Sequence, residues 1–190
     1  MEISEKTMAI HKDKLYAGYV VKKKEIGEKL KEYFDKGEFA DANQSYSFLR
    51  GLKEGETFAT NGVYLHEWYF EVLSGNGDPR EAPELSRALA EKWGSMDKAI
   101  AYMSACGMAA RGWAVLGWDI KEARLKQYNC DSHNQGGVWG TIPIIVLDVY
   151  EHAYFLDFGA DRKAYIEAFW KAFDWKTAEE NYLKIRNIKL

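Results

Sequence analysis

The sequence predicts an α+β fold in which an N-terminal helical hairpin packs on a C-terminal domain with a small, mainly antiparallel sheet flanked by helices. Three patterns lead to this expectation. Apolar residues recur every three or four positions in the first half of the chain, turn-forming residues concentrate at 74–80, and strand-like segments follow between 112 and 147. The turn-rich segment predicts a domain boundary that separates residues 1–77 from residues 78–190.

The first half of the chain predicts two helices that form the hairpin. A long charged helix is expected from about Glu5 to Phe34, because its apolar and aromatic residues follow a helical period. After a glycine-containing stretch from Gly51 to Gly55, a second helix is expected from about Thr60 to Leu73. The broad apolar face of this second helix surrounds His66.

The second half predicts helices around a small sheet. Helices are expected over Glu84–Lys92 and Met96–Met108, with Ser95 as the N-cap of the latter. Strands are expected where apolar residues alternate with polar ones or form a continuous run: Gly112–Trp118, Ala123–Tyr128 and Ile142–Leu147. Two or three further helices should close the chain.

Composition limits the possible classes of protein. The 190 residues are 47% apolar and include only three prolines, which favours a compact globule. A formal net charge of −3 excludes a globally basic nucleic-acid binder. Since no apolar run approaches the ~20 residues that cross a bilayer, and no signal-peptide segment is present, we expect a cytoplasmic protein without a membrane segment. Cys106 and Cys130 are then expected as unpaired thiols.

The most informative stretch sets Asp148 and His152 four residues apart, directly behind the apolar run Ile142–Leu147. A charge at the end of a buried strand is costly to desolvate unless something pairs with it, and a metal cation is one such partner. The chain contains four histidines in all: His11, His66, His133 and His152. Three histidines and one aspartate suit iron, manganese or zinc.

Taken alone, each of these residues could have a different role. His11 could be an ordinary interior histidine, and Cys130 with His133 could bind a metal by themselves. His11, Leu15 and Tyr19 are spaced by four, so an α-helix places them on one face. Tyr19 could therefore approach whatever His11 binds.

Taken together, these residues resemble the iron/manganese superoxide dismutase family. The resemblance rests on His11 followed by Tyr19, on His66 in an aromatic helix, and on Leu147–Tyr154 followed by Arg162. The segment Leu147–Tyr154 is close to the family signature of aspartate, any residue, tryptophan, glutamate, histidine, alanine and tyrosine. The similarity covers nearly the whole chain and implies a superoxide dismutase, which converts superoxide, a small anion, to oxygen and hydrogen peroxide.

Carried over residue by residue, the resemblance implies that one iron or manganese ion is held in an approximately trigonal bipyramid with solvent as the fifth ligand. The implied protein ligands are His11, His66, Asp148 and His152. Tyr19 matches the family's gateway tyrosine, and Arg162 matches a basic residue near its substrate funnel, although an ordinary surface ion pair is the alternative for this arginine.

A further residue should donate a hydrogen bond to the metal-bound solvent, because this contact tunes the metal. Iron-type members use a glutamine four residues before the second histidine ligand, where this chain has Gly62. Manganese-type members use a glutamine from the C-terminal domain, which Gln135 matches, and His133 is a rival for the same role. We prefer Gln135 here, and with it manganese or the use of either metal.

The resemblance also implies a homodimer, or a higher assembly, in which Glu151 meets a ligand histidine of the other subunit. Leu15 and Phe155 match two further positions at that interface, where the family usually has a histidine and a tyrosine. Tyr150 and Val115 replace two tryptophans common in the family. These departures leave open an alternative, a noncatalytic, metal-stabilised dimeric scaffold. An oxygenase or hydrolase is disfavoured, because four protein ligands leave few positions for an organic substrate.

Overall fold

The computed structural model describes residues 3–190 and confirms the α+β architecture. The N-terminal half contains α1 (Glu5–Ile10), a π-helical segment (His11–Tyr16), α2 (Ala17–Lys36) and α3 (Phe48–Glu71). The remaining helices are α4 (Pro83–Trp93), α5 (Met96–Ala109), α6 (Phe155–Phe158), α7 (Arg162–Lys171) and α8 (Trp175–Ile185). Two short 3₁₀ segments span Pro79–Glu81 and Glu151–Ala153.

The first predicted helix is present as one continuous helical stretch built from α1, the π-helical segment and α2. Ser4 caps its start, because the Ser4 hydroxyl oxygen accepts the Thr7 backbone N–H at 3.1 Å. Gly37, with φ of 67°, ends it in the left-handed conformation. The sequence did not indicate the π-helical segment, in which hydrogen bonds span five residues and the side chains turn relative to an α-helix.

The second predicted helix begins earlier than expected. We expected α3 to start near Thr60, but it starts at Phe48, where the Ser47 hydroxyl caps it by accepting the Arg50 N–H at 3.1 Å. The glycines that suggested a break therefore lie inside the helix. Gly55 serves packing there, since a Cβ at this position would lie 3.1 Å from the Ile26 side chain of α2.

The sheet contains β1 (Trp113–Asp119), β2 (Arg124–Cys130) and β3 (Thr141–Asp148), close to the predicted bounds. Its order is β2-β1-β3, with both pairs antiparallel. Trp113 pairs with Cys130 on one side and with Asp148 on the other. The central strand β1 is buried throughout. Because of this pairing, the end of β3 and the start of the β2–β3 loop both lie next to Trp113.

The turn-rich segment at 74–80 is tied to the C-terminal half rather than free. The Gly75 N–H donates to the Ala172 carbonyl at 2.9 Å, and the Gly77 N–H donates to the Phe173 carbonyl at 3.0 Å. Beyond this segment, α4 and α5 match their predicted extents within two residues, and Ser95 caps α5 as expected.

One core joins the helical hairpin to the sheet and the closing helices. Its largest fully buried side chains come from α3, β1, α7 and the segment that leads into α8: Tyr69, Trp113, Tyr165, Phe169, Phe173 and Trp175. Cys106 and Cys130 are unpaired. Among the helices of residues 3–190, none is both long and apolar enough to cross a membrane.

Candidate metal centre

Four ligand-type side chains converge between the hairpin and the sheet. His11 opens the π-helical segment, His66 lies on α3, Asp148 ends β3, and His152 lies in the 3₁₀ segment that follows. The first three are fully buried and His152 is partly buried. One nitrogen or oxygen atom from each lies within 4.8 Å of the corresponding atoms of the other three.

The three imidazoles face a single carboxylate oxygen. The Nε2 atoms of His11 and His152 lie 3.2 Å from Asp148 Oδ2, and the Nε2 atom of His66 lies 3.7 Å from it. Nitrogen and oxygen ligands that bind an ion such as zinc at about 2.0–2.2 Å are themselves about 3–4 Å apart. The spacing of these atoms is therefore that of a ligand set around one ion.

The hydrogen bonding of the two buried histidines fits the same conclusion. His66 Nδ1 donates to the Gly62 carbonyl at 2.5 Å, which leaves its Nε2 with a free lone pair. Within residues 3–190, neither ring nitrogen of His11 has a hydrogen-bond partner, nor does His66 Nε2, although all three atoms are buried. A buried polar atom without a partner costs about 1–3 kcal/mol, and a bound cation would satisfy the Nε2 atoms of His11 and His66, which face Asp148.

The protonation states favour metal binding. Burial lowers the pKa of His66 to about 4, despite the attraction of Asp148, so this imidazole is neutral at pH 7. Burial alone would raise the pKa of Asp148, but its contacts with His11 and His152 outweigh burial and hold the pKa below its usual range. A neutral imidazole and an ionised carboxylate are the forms that bind metals.

Buried hydrogen bonds hold Asp148 in place. The Tyr165 hydroxyl donates to the Asp148 carbonyl at 2.7 Å, and it accepts from the Tyr69 hydroxyl at 3.0 Å. The Tyr150 backbone N–H donates to Asp148 Oδ1 at 2.9 Å. The Oδ1 atom is therefore tied to the backbone while Oδ2 faces the histidines.

The fourth histidine, His133, is also buried beside the cluster. The centre of its ring lies 4.7 Å from that of Tyr19 and 5.8 Å from that of His66. The Trp113 indole N–H donates to His133 Nδ1 at 2.9 Å. Since an indole can only donate, Nδ1 is the acceptor and the proton of the neutral ring lies on Nε2. Burial lowers the pKa of His133 to about 4, so the ring is neutral at pH 7.

His133, and not Gln135, lies against the other site residues. Gln135 is exposed in the β2–β3 loop, whereas His133 is buried against the other site residues. A glutamine could not come from position 62 either, because a Cβ there would lie 2.9 Å from Tyr19 Cγ and 3.4 Å from the His133 ring. The preference for manganese depended on Gln135, so the position of His133 leaves iron and manganese equally suited to the site.

The π-helical segment changes which side chains approach the site. The ring of Tyr19 lies 5.3 Å from the His66 ring, and burial raises the pKa of Tyr19. Tyr16 also faces His66, at 6.4 Å, and its hydroxyl donates to Glu67 at 2.9 Å. Leu15 is half-buried.

The remaining candidate residues lie outside the four-residue cluster. The Arg162 guanidinium donates to the Ala110 carbonyl at 2.7 Å and to the Tyr154 hydroxyl at 3.3 Å, so these two contacts fix its position. Glu151 and Phe155 are exposed on the surface beside His152. Cys130 does not join the cluster, since the group that could hold a metal within residues 3–190 contains histidines and Asp148 alone.

Comparison with known proteins agrees with this arrangement. A family model described as iron/manganese superoxide dismutases, C-terminal domain, matches residues 81–181, which include Asp148 and His152. An iron superoxide dismutase of Aquifex pyrophilus is 43% identical over 187 residues, which are 96% of this chain and 85% of the relative. The chain belongs to the iron/manganese superoxide dismutase family. A manganese superoxide dismutase of Haloarcula marismortui is 34% identical over 182 residues, 96% of this chain and 86% of the relative.

Membership of the family confirms the resemblance drawn from Leu147–Tyr154. Relatives named for iron and relatives named for manganese both align with nearly the whole chain, which includes the helices that carry His11 and His66. The family therefore supports an iron or manganese ion at this site without choosing between the two metals.

Proposed function

We infer that this chain is a superoxide dismutase that contains one iron or manganese ion. It converts two superoxide anions and two protons to oxygen and hydrogen peroxide. The observation that carries this conclusion is the convergence of three imidazole Nε2 atoms on Asp148 Oδ2, in a member of this family. When bound, the ion supplies the one-electron redox chemistry by cycling between the +3 and +2 states, which zinc could not do.

We propose that His11, His66, Asp148 and His152 are the protein ligands of this ion. Their mutual distances, the buried nitrogen atoms without partners and the low pKa of His66 support this assignment. The Tyr165 hydroxyl acts as a positioning group, since it holds the backbone at the end of β3.

We propose that His133 and Tyr19 handle protons next to the ion. Trp113 occupies His133 Nδ1, so the Nε2–H of this neutral ring is the donor left for a bound solvent. The raised pKa of Tyr19 keeps its phenol protonated at neutral pH, which makes it a second donor. Arg162, fixed by the Ala110 carbonyl, is proposed as a positive charge that attracts superoxide.

We also propose a domain organisation, a dimer contact and a location for the protein. Residues 1–77 form the helical-hairpin domain, residues 78–190 form the C-terminal domain, and the metal site lies between them. A homodimer would form around Glu151, Leu15 and Phe155, and the exposure of two neighbouring apolar residues, Phe155 (58%) and Leu156 (52%), supports this. The free thiols of Cys106 and Cys130 support a cytoplasmic location. Removal of superoxide there would give the protein an antioxidant role.

The test is to load the purified protein with iron or manganese and to measure superoxide consumption and bound metal together. We expect one ion per chain and a rate far above that of the free metal. His66→Ala should abolish both metal binding and activity while the circular dichroism spectrum is retained, and Cys106→Ser should change neither. A loaded protein that binds one ion per chain but consumes superoxide no faster than free metal would instead be the noncatalytic, metal-stabilised dimeric scaffold.

A further inference from the structure

The proposed metal ligands differ in the hydrogen bonds that hold them in place. His66 Nδ1 donates to the Gly62 carbonyl at 2.5 Å, and Asp148 Oδ1 accepts the Tyr150 backbone N–H at 2.9 Å. Within the described part of the chain, neither ring nitrogen of His11 has such a partner, although the ring is fully buried. The position of His11 therefore depends on the contacts of the helical segment that leads to it.

That segment, α1, meets the rest of the protein along one side. Thr7 and His11 are spaced by four, so they lie on one face, and both are buried. Ile3, just before the helix, is 1% exposed and belongs to the core. The outer residues of α1 are exposed: Glu5, Lys6, Ala9 and Ile10. The contacts near Ile3 and Thr7 therefore set where His11 lies.

One of these contacts ties the start of α1 to the C-terminal half. The Ser4 backbone N–H donates to Asp157 Oδ2 at 2.8 Å, across 153 positions of the sequence. In a capping box, the N-cap N–H is bonded by an acidic or amide side chain three residues further on. That position is Thr7 here, so a carboxylate from the other half of the chain takes this role instead.

The protonation state of Asp157 suits this contact. Burial alone would raise the pKa of Asp157, but hydrogen bonds from the Ser4 backbone and from the Ser4 and Thr7 side chains outweigh burial and lower it. The carboxylate is therefore ionised at neutral pH. A hydrogen bond that an ionised oxygen accepts is stronger than one between neutral groups.

We propose that Asp157 is a positioning residue for the metal ligand His11, which it holds in place through α1. Asp157 lies in α6, a few residues after His152, and Ser4 lies a few residues before His11. Their hydrogen bond therefore joins the two segments that carry these ligands, whose ring centres lie 4.8 Å apart. The inference rests on the proposed ligand set and adds a residue outside that set.

Loss of this contact should loosen His11 without unfolding the protein. A variant at Asp157 keeps the Ser4 hydroxyl cap of α1 and the buried Ile3. The separation of His11 and His152 is then less well fixed, so His11 leaves the ion more often. Removal of a capping contact typically shifts an equilibrium by about 3–10-fold, and we expect the ion to be released faster by about this factor.

The test measures how fast the iron-loaded protein releases its ion to excess EDTA, together with the electron paramagnetic resonance spectrum of the iron(III) form. Asp157→Ala removes the acceptor, and Asp157→Asn keeps one acceptor oxygen without the charge. Asp157 is exposed, so both variants should fold. We expect release about 3–10-fold faster in Asp157→Ala, with an intermediate rate in Asp157→Asn. The spectrum of Asp157→Ala should also change, because it depends on the geometry of the ligands.

The matched control is Asp174→Ala, which removes another capping carboxylate. Asp174 caps α8 by accepting the Thr177 backbone N–H at 3.0 Å, and α8 carries none of the proposed ligands. This variant should lower the midpoint of urea unfolding at least as much as Asp157→Ala does. Its release rate and its spectrum should equal those of the unaltered protein.

The proposal requires both changes in Asp157→Ala, so an unchanged release rate or an unchanged spectrum overturns it. Equal acceleration in Asp174→Ala would overturn it too, since general loss of stability would then explain the result. A loaded protein that consumes no superoxide would refute the proposed function, yet the release rates would still decide the role of Asp157. An unaltered protein that binds no iron would overturn both.

Discussion

The hydrogen bonds that hold Asp148 have a definite direction, and two substitutions test it. Tyr165 donates to the Asp148 carbonyl at 2.7 Å, so the hydrogen bond between the two tyrosines must be donated by Tyr69, at 3.0 Å. Both tyrosines are fully buried. The hydrogen bonds thus run from Tyr69 to Tyr165 and from Tyr165 to the Asp148 carbonyl. Tyr165→Phe removes the middle group, so both outer groups lose a partner. Tyr69→Phe removes only the first donor.

The expected costs follow from what each substitution leaves unpaired. With Tyr165→Phe the Asp148 carbonyl loses a donor and the Tyr69 hydroxyl loses its acceptor, at about 1–3 kcal/mol for each buried group, and hence about 2–6 kcal/mol together. With Tyr69→Phe the Tyr165 hydroxyl still donates, so the loss is about 0.5–1.5 kcal/mol. The double substitution should cost no more than Tyr165→Phe alone, because it also removes the orphaned hydroxyl.

The assay is urea unfolding of metal-free protein at one fixed protein concentration, followed by tryptophan fluorescence. With a slope of about 2 kcal/mol per molar urea, Tyr165→Phe should lower the midpoint by about 1–3 M and Tyr69→Phe by less than about 0.8 M. The assigned direction of donation is refuted if Tyr69→Phe costs as much as Tyr165→Phe, or if the two costs simply add in the double variant.

Three further outcomes follow from the site and the core. His133→Ala should lower the rate of superoxide consumption about 10–100-fold in stopped-flow measurements without loss of metal, whereas Gln135→Ala should leave the rate unchanged. Gly62→Ala should lower the free energy of unfolding by about 1–3 kcal/mol, because the new Cβ would lie 2.9 Å from Tyr19 Cγ. Glu179→Ala should cost about 1–3 kcal/mol in urea unfolding, since its buried carboxylate accepts two backbone N–H groups at the start of α4.

Each of these substitutions has a matched control in the chain. Gly18→Ala adds the same methyl group to α2 where no atom lies within 4 Å, so it should be neutral or stabilising. Glu180→Ala removes the exposed carboxylate next to Glu179 and should change stability little. If Gln135→Ala slows the reaction as much as His133→Ala does, the assignment of His133 as the donor is wrong.

Much of the fold could be predicted because its signals are local. β3 follows a run of apolar and β-branched residues, β1 and β2 follow segments that alternate apolar and polar residues, and each predicted strand agrees with the structure within two residues. The start of α3 could not be found in this way. Gly51 and Gly55 indicated a break, but the Ser47 cap and the packing of Gly55 against Ile26 keep the chain helical. Packing between helices outweighs the low helix propensity of glycine here.

The candidate site also contains residues that could be predicted from the sequence and residues that could not. Asp148 and His152 could be found because a charged motif follows a buried strand. The choice between His133 and Gln135 could not be made, since the conformation of a glycine-containing loop decides which polar side chain turns inward. The hydrogen bond from Trp113 to His133 joins residues 20 positions apart and has no sequence signature. The π-helical segment has no sequence signature either, although it brings Tyr16 toward His66.

The central claim is that four side chains from both halves of the chain hold one redox-active ion. The most direct test is the crystal structure of the iron- or manganese-loaded protein, with anomalous diffraction measured at the absorption edge of that metal. We expect one anomalous peak per chain, within bonding distance of His11, His66, Asp148 and His152. A peak elsewhere would contradict the claim. A peak that lies outside bonding distance of even one of these four side chains would contradict it as well.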